Sequence, residues 1–178
     1  MKLFLFHQSA FQPVVELFKS VFSASEGEAE GDAIADFVAN LMVTTDPQDL
    51  IGCLAEENEK IIGCIFFSRF TVPSGQTAFI LSPVAVSTAM QGQGVGQQLI
   101  RFGLEYLKTQ QVDLVFTYGD PSYYAKTGFT PINETLVKAP FPLSQPIGWL
   151  AQSIDGKAIQ PMSGETQCVK ALCDPSLW

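Results

Sequence analysis

Three glycines at alternate positions, Gly92, Gly94 and Gly96, stand where the periodicity of the chain changes. Upstream, the β-branched and aromatic segment from Thr77 to Val86 reads as a strand. Downstream, Val95, Leu99, Phe102 and Tyr106 recur at steps of four, three and four, one face of a helix. The chain must therefore pass from strand to helix through Gln91-Gly92-Gln93-Gly94-Val95-Gly96-Gln97. The first N–H groups of a helix lack a partner one turn back, and the helix dipole places about half a positive charge there. Without Cβ atoms, glycines let an anion approach such a backbone closely. The segment reads either as a pyrophosphate cradle or as a plain tight connection.

The rest of the chain supplies a context for that turn. Leu3 to His7 reads as a first strand, and Pro13 is placed to open a helix with Phe11, Val14, Val15, Phe18 and Phe22 on one face. Ser23 to Gly31, small and acidic, reads as a loop before a second helix faced by Ile34, Phe37, Val38 and Leu41. Segments 50–55 and 61–70 flank Glu57-Asn58-Glu59-Lys60 as a hairpin. A two-residue turn at Asn58-Glu59 sets Cys53 opposite Cys64, read as two reduced core thiols. Pro83 removes a ladder N–H, which predicts an edge or a bulge that splays its strand and opens a slot toward the glycine turn. A helix over 94–109, a strand over 112–118, a short helix over 122–126 and a strand over 148–154 follow. Residues 167–172 read as a last strand. One domain over 1–178 is the expectation for this length, with a proline-punctuated part at 139–178.

Charge and composition exclude several functions. A net charge of −8 argues against nucleic-acid or anionic-membrane partners, which bind basic patches, and leaves room for a cationic acceptor. No apolar run is long enough to span a membrane. The four cysteines form no Cys-x-x-Cys, and the single histidine, His7, cannot complete a usual zinc set, so no metal is expected. Reduced thiols in a cytoplasmic protein are the expectation.

The spacing of the glycines excludes two known cradles. A P-loop requires Gly-Lys-Ser/Thr, whereas Gly96 precedes Gln97-Gln98; a dinucleotide fingerprint requires Gly-x-Gly-x-x-Gly on a first strand. Gln91-Gly92-Gln93-Gly94-Val95-Gly96 instead fits Gln/Arg-x-x-Gly-x-Gly/Ala. A second motif lies downstream, Tyr124-Ala125-Lys126-Thr127-Gly128-Phe129, with one helix and one strand between. Together they resemble the GCN5-related N-acetyltransferase (GNAT) superfamily, whose members carry the first motif as an acyl-CoA pyrophosphate loop and Tyr-x-x-x-Gly-Phe after the fifth strand. The wording Gly119-Asp120-Pro121-x-Tyr123-Tyr124 and the tail Asp174-Pro175-Ser176-Leu177-Trp178 resemble its YhbS-like branch.

The resemblance implies a mixed α/β (α+β) acyl-CoA N-acyltransferase fold: a central, mostly antiparallel twisted sheet with a splayed strand and helices on both faces. It implies acetyl-CoA as co-substrate and a primary amine as acceptor, with direct attack in a ternary complex. By the same resemblance, Val84, Ala85 and Val86 pair their backbone with the pantetheine arm, the valine side chains themselves reading as core. The N–H of Val86 is the candidate oxyanion donor. Gln91, Gly92, Gln93, Gly94, Val95, Gly96 and Gln97 hold the pyrophosphate, and Tyr124 protonates the leaving thiolate. Tyr124 also reads as a buried aromatic with a bonded hydroxyl. Arg101, one turn into the helix, and Lys126 are the candidate cations for the cofactor's charge, and Arg101 also reads as a solvated helix charge. Glu26, Glu28 and Glu30 are candidates for amine recognition or simply a solvated acidic loop; His7 reads as a strand-end residue rather than a base. A non-catalytic acyl-CoA-binding module keeps the cradle and drops the chemistry, and Tyr124 favours the enzyme. Oligomeric state stays open between a monomer and a homodimer.

Overall fold

The computed structural model describes residues 1–178. Its elements run β1 (Lys2–Leu5), α1 (Phe11–Glu26), α2 (Glu28–Thr44), β2 (Leu50–Glu57), β3 (Lys60–Thr71), β4 (Thr77–Val86), α3 (Val95–Thr109), β5 (Leu114–Tyr118), α4 (Pro121–Tyr124), β6 (Thr130–Pro131), β7 (Trp149–Ser153) and β8 (Gln167–Cys168). The strands are ordered β1-β2-β3-β4-β5-β7-β6, with β8 also beside β3. β4 and β5 run parallel, Ala78 opposite Leu114 through Leu81 opposite Thr117. The pairs β1–β2, β5–β7, β6–β7 and β3–β8 are antiparallel. This is the mixed, mostly antiparallel sheet with flanking helices that the motifs imply.

The chain forms two compact units, Met1–Phe66 with Pro83–Gly103, and Phe67–Ser82 with Leu104–Trp178. In the first, Val14, Leu17, Phe18 and Val21 of α1 and Ala35, Val38 and Leu41 of α2 are buried. Leu17 and Val21 widen the face read from the sequence. Asn58 and Glu59 both take positive φ, 50° and 62°, the two-residue turn whose twist suits a hairpin. Gly63 of β3 is where helix α3 comes closest: an added Cβ would meet Leu99 Cδ1 at 2.7 Å and Val95 Cγ1 at 3.2 Å. In the second unit the core is aromatic. Phe70, Phe116 and Trp149 pack with ring centroids 4.8 to 5.9 Å apart. Trp178 joins them, stacked on Tyr118 at 6.0 Å, its indole N–H donating to the Leu172 carbonyl at 3.0 Å.

The structure corrects four expectations. Residues 23–31 are not a loop; α1 and α2 run through them, broken only at Gly27, whose φ of 104° suits glycine. The segment is rich in alanine and glutamate, both good helix formers, and Glu28 and Glu30 fall in the first turn of α2, where the dipole favours carboxylates. The two helices approach so closely that a Cβ on Gly31 would stand 1.8 Å from Ser23 Oγ. Second, of the edge or bulge read at Pro83 the edge is excluded, since β4 lies between β3 and β5; its pairing with β5 ends at Leu81, two residues before Pro83. Third, the valine side chains are not core: Ala85 is buried, whereas Val84 and Val86 are half-exposed. Alternation along the strand puts the valines on the opposite face from Ala85. Fourth, residues 167–172 split into two-residue β8 and a 3-10 turn over Lys170–Leu172.

All four cysteines are free thiols. Burial pushes the Cys53 thiol up to about 12 and Cys64 well above the ordinary value, the neighbouring Cys53 adding to the latter. No helix is long and apolar enough to cross a membrane.

Candidate functional site

In the first unit the site begins where β4 ends. The Ser87 N–H donates to the Ile62 carbonyl of β3 at 2.8 Å. Backbone groups alternate sides along a strand, so the N–H and C=O of Val86, one residue earlier, turn away from β3. The Val86 carbonyl instead accepts from Gln91 Nε2 at 3.0 Å. A 3-10 turn over Thr88–Met90 follows, and Gln93 Nε2 donates back to the Ala89 carbonyl at 3.1 Å. Both glutamine amides thus brace the turn from within. Gly92 and Gly94 take φ of 76° and 80°, the left-handed region that side chains disfavour, and open space surrounds Gly92. Helix α3 then starts at Val95, and its first bond back by one turn is Gln98 N–H to the Gly94 carbonyl at 3.0 Å. The N–H groups of Val95, Gly96 and Gln97 sit ahead of that bond, at the positive end of the helix. Gly96 is helical and buried, so of the three glycines it serves packing rather than the turn.

Tyr124 belongs to the second unit. Asp120 opens α4 by accepting from the Ser122 N–H at 2.9 Å and the Ser122 hydroxyl at 2.8 Å, with Pro121 in the first turn. Those bonds, led by the Ser122 hydroxyl and aided by the charge of Lys126, hold the Asp120 carboxyl below its ordinary value. Tyr124 is half-buried, its ring edge-on to Tyr123 at 5.0 Å and to Phe129 at 5.8 Å. Gly119 leaves room for it, since a Cβ there would meet Tyr124 Cε2 at 2.7 Å. Burial pushes the phenol up to about 12, opposed by a hydrogen bond with the Thr117 side chain. The Thr117 hydroxyl in turn donates to the Leu81 carbonyl at 2.9 Å, where the β4–β5 pairing ends. Gly128, at φ 94°, ends the following turn, as the Tyr-x-x-x-Gly-Phe spacing anticipates.

Sequence reasoning missed Thr117, which belongs to no motif, and the space that Gly119 leaves, since Gly119 entered only as part of the Gly119-Asp120-Pro121 wording. The acidic residues are redistributed: Glu26 ends α1, and Glu28 and Glu30 start α2. Arg101 and Lys126 are both exposed. Each unit also carries a cleft. That of the first unit, about 530 Å³, brings His7 together with Glu16, Glu56, Glu59 and Lys60. That of the second, about 360 Å³, opens beside the end of β5 between Tyr118, Asp120, Gln145 and Ile147. No three His, Cys, Asp or Glu side chains gather as metal ligands.

Comparison with known proteins agrees with this architecture. The sequence profile of the acetyltransferase (GNAT) family matches residues 11–129. An uncharacterised N-acetyltransferase of Escherichia coli K12, YjhQ, is 34% identical over 142 residues, covering 75% of this chain and 77% of that protein. YhbS of the same organism is 30% identical over 106 residues, covering 58% of this chain and 60% of its own. Among solved structures, YhbS from Escherichia coli in complex with CoA superposes with a TM-score of 0.77 at 22% identity, over 96% of this chain and 90% of that one. A Brucella melitensis acetyltransferase in complex with acetyl-CoA gives 0.67 at 19% identity, over 94% of each chain. With its profile match spanning both motifs and a relative aligned over three quarters of its length, this chain belongs to the GNAT acetyltransferase family.

Proposed function

We propose that this protein transfers an acetyl group from acetyl-CoA to a primary amine by direct attack in a ternary complex, and that it belongs to the YhbS-like branch of its family. The observation that carries this reading is the end of β4, where Val86 turns its backbone away from β3 and leads into a positive-φ glycine turn that opens α3. Acetyl-CoA supplies the acyl thioester. Val84 and Val86 bind its pantetheine arm through backbone groups, with Ala85 between them, and residues Gln91 to Gln97 bind its pyrophosphate through N–H groups at the helix start. The cradle holds no lysine or arginine, so backbone amides and the dipole carry the anion. The Val86 N–H stabilises the oxyanion that forms when the amine attacks the thioester carbon. The amine loses its proton to water, and Tyr124 Oη gives one to the departing thiolate. A phenol pushed up to about 12 keeps that proton through neutral pH.

Calorimetric titration with acetyl-CoA and a free-CoA release assay over a panel of amines test the reading together. Tyr124→Phe is expected to lower kcat by about two orders of magnitude while leaving acetyl-CoA affinity nearly unchanged. Loss of both in equal measure, or no binding of acetyl-CoA by the wild type, overturns the mechanism. Binding without release of CoA for any amine assigns the chain instead as a non-catalytic acyl-CoA-binding module.

A further inference from the structure

Two thiols of the second unit take no part in the site described above. The sulfurs of Cys168 and Cys173 lie 3.6 Å apart. Cys168 ends β8, where it pairs with Phe70 of β3. The chain then folds back through the turn over Lys170–Leu172, closed by Leu172 N–H to the Val169 carbonyl at 2.9 Å and Cys173 N–H to the Lys170 carbonyl at 3.1 Å. That fold-back sets Cys173 Sγ 3.6 Å from the Cys168 carbonyl and 3.5 Å from that of Val169. Backbone hydrogen bonds on both sides therefore hold the two sulfurs together. A disulfide of about 2.05 Å needs them to close by roughly 1.5 Å from their 3.6 Å separation, within reach of side-chain rotation.

Exposure sets the order of reaction. Cys173 is exposed and Cys168 half-buried. Burial pushes the Cys168 thiol up, and the greater exposure of Cys173 lets it meet an external reagent first. Cys53 and Cys64 are both 0% exposed and out of reach of a solution thiol or disulfide.

We infer that Cys168 and Cys173 are a reversible dithiol–disulfide site, oxidised by a small-molecule disulfide such as oxidised glutathione. The Cys173 thiolate attacks one sulfur of the reagent, its S–S bond breaks, and one glutathione leaves as a thiolate that takes a proton from solvent. Cys168, having given its proton to solvent, attacks Cys173 Sγ in the mixed disulfide and expels the second glutathione. The protein loses two hydrogens and two electrons, and the reagent is reduced to two thiols.

The test is a covalent mass, independent of any acetyl transfer. The fully reduced, folded protein is treated with oxidised glutathione, quenched in acid, and weighed intact and after proteolysis. The wild type is expected to be lighter by two hydrogens, to carry no glutathione, to yield a cross-linked peptide joining 168 to 173, and to revert with dithiothreitol. Cys168→Ser, lacking the resolving thiol, retains one glutathione on Cys173. Cys173→Ser, altered at an exposed position, forms no cross-link. A lasting glutathione adduct on the wild type, a cross-link through Cys53 or Cys64, or four free thiols after treatment overturns the inference.

Discussion

Tyr124 and the Leu81 carbonyl share one hydrogen-bonding partner, the Thr117 side chain. Thr117 is fully buried, so its hydroxyl must be satisfied inside the protein. Thr117→Val keeps the shape and strands both the phenol and the carbonyl, which is expected to cost about 1–3 kcal/mol of stability in urea unfolding. Because that hydrogen bond holds the Tyr124 pKa down, the same variant moves the tyrosinate absorbance transition to still higher pH. The sign of the pH dependence follows from the raised phenol. Tyr124 titrates at about 12 folded against an ordinary 10.0, so its contribution is complete below pH 10 and is lost as pH rises through 12. At this scale Tyr124 is legible from the sequence, because its motif is local. Thr117 is not, since its acceptor lies 36 residues away on another strand.

At the scale of elements, the strand–turn–helix around the glycines follows the sequence closely, with α3 starting one residue after the expected position. The information there is short-range: alternation before, helical spacing after, glycine between. What the periodicity does not carry is how near α3 lies to β3. Gly63 makes that approach possible, and Leu99 and Val95, 0% and 3% exposed, have no room to retreat. Gly63→Val is expected to overpack the contact and cost about 1–3 kcal/mol, read as a lower urea midpoint at unchanged slope. The helices α1 and α2 teach the converse. Their small, acidic junction looks like a loop by composition, yet alanine, glutamate and the dipole make it helix up to a single glycine.

At the scale of the whole chain, the aromatic core of the second unit gathers residues from β3, β5, β7 and the C-terminal tail. Trp178 is 6% exposed and touches Tyr118, Phe141 and Trp149. Trp178→Ala removes that packing together with the indole bond to Leu172, and is expected to destabilise the protein by about 3–5 kcal/mol, measured by thermal or denaturant unfolding. The tail is therefore a structural member of its unit rather than a loose extension, which its prolines do not announce.

The sequence by itself determined the order of the helices and of strands β1 to β5 and β7, the hairpin turn, the glycine turn and the two motifs that give the family, because each rests on residues within one turn or one strand of each other. Only the tertiary structure decided which face of β4 is core, that Val86 turns from its neighbouring strand, and that Thr117 and Gly119 support Tyr124. It also brought the sulfur of Cys173 back onto Cys168. Those outcomes depend on partners chosen across space by burial and by the need to satisfy every buried polar group, and no local pattern encodes them. The glycine turn thus announced the fold, and packing supplied the geometry around it.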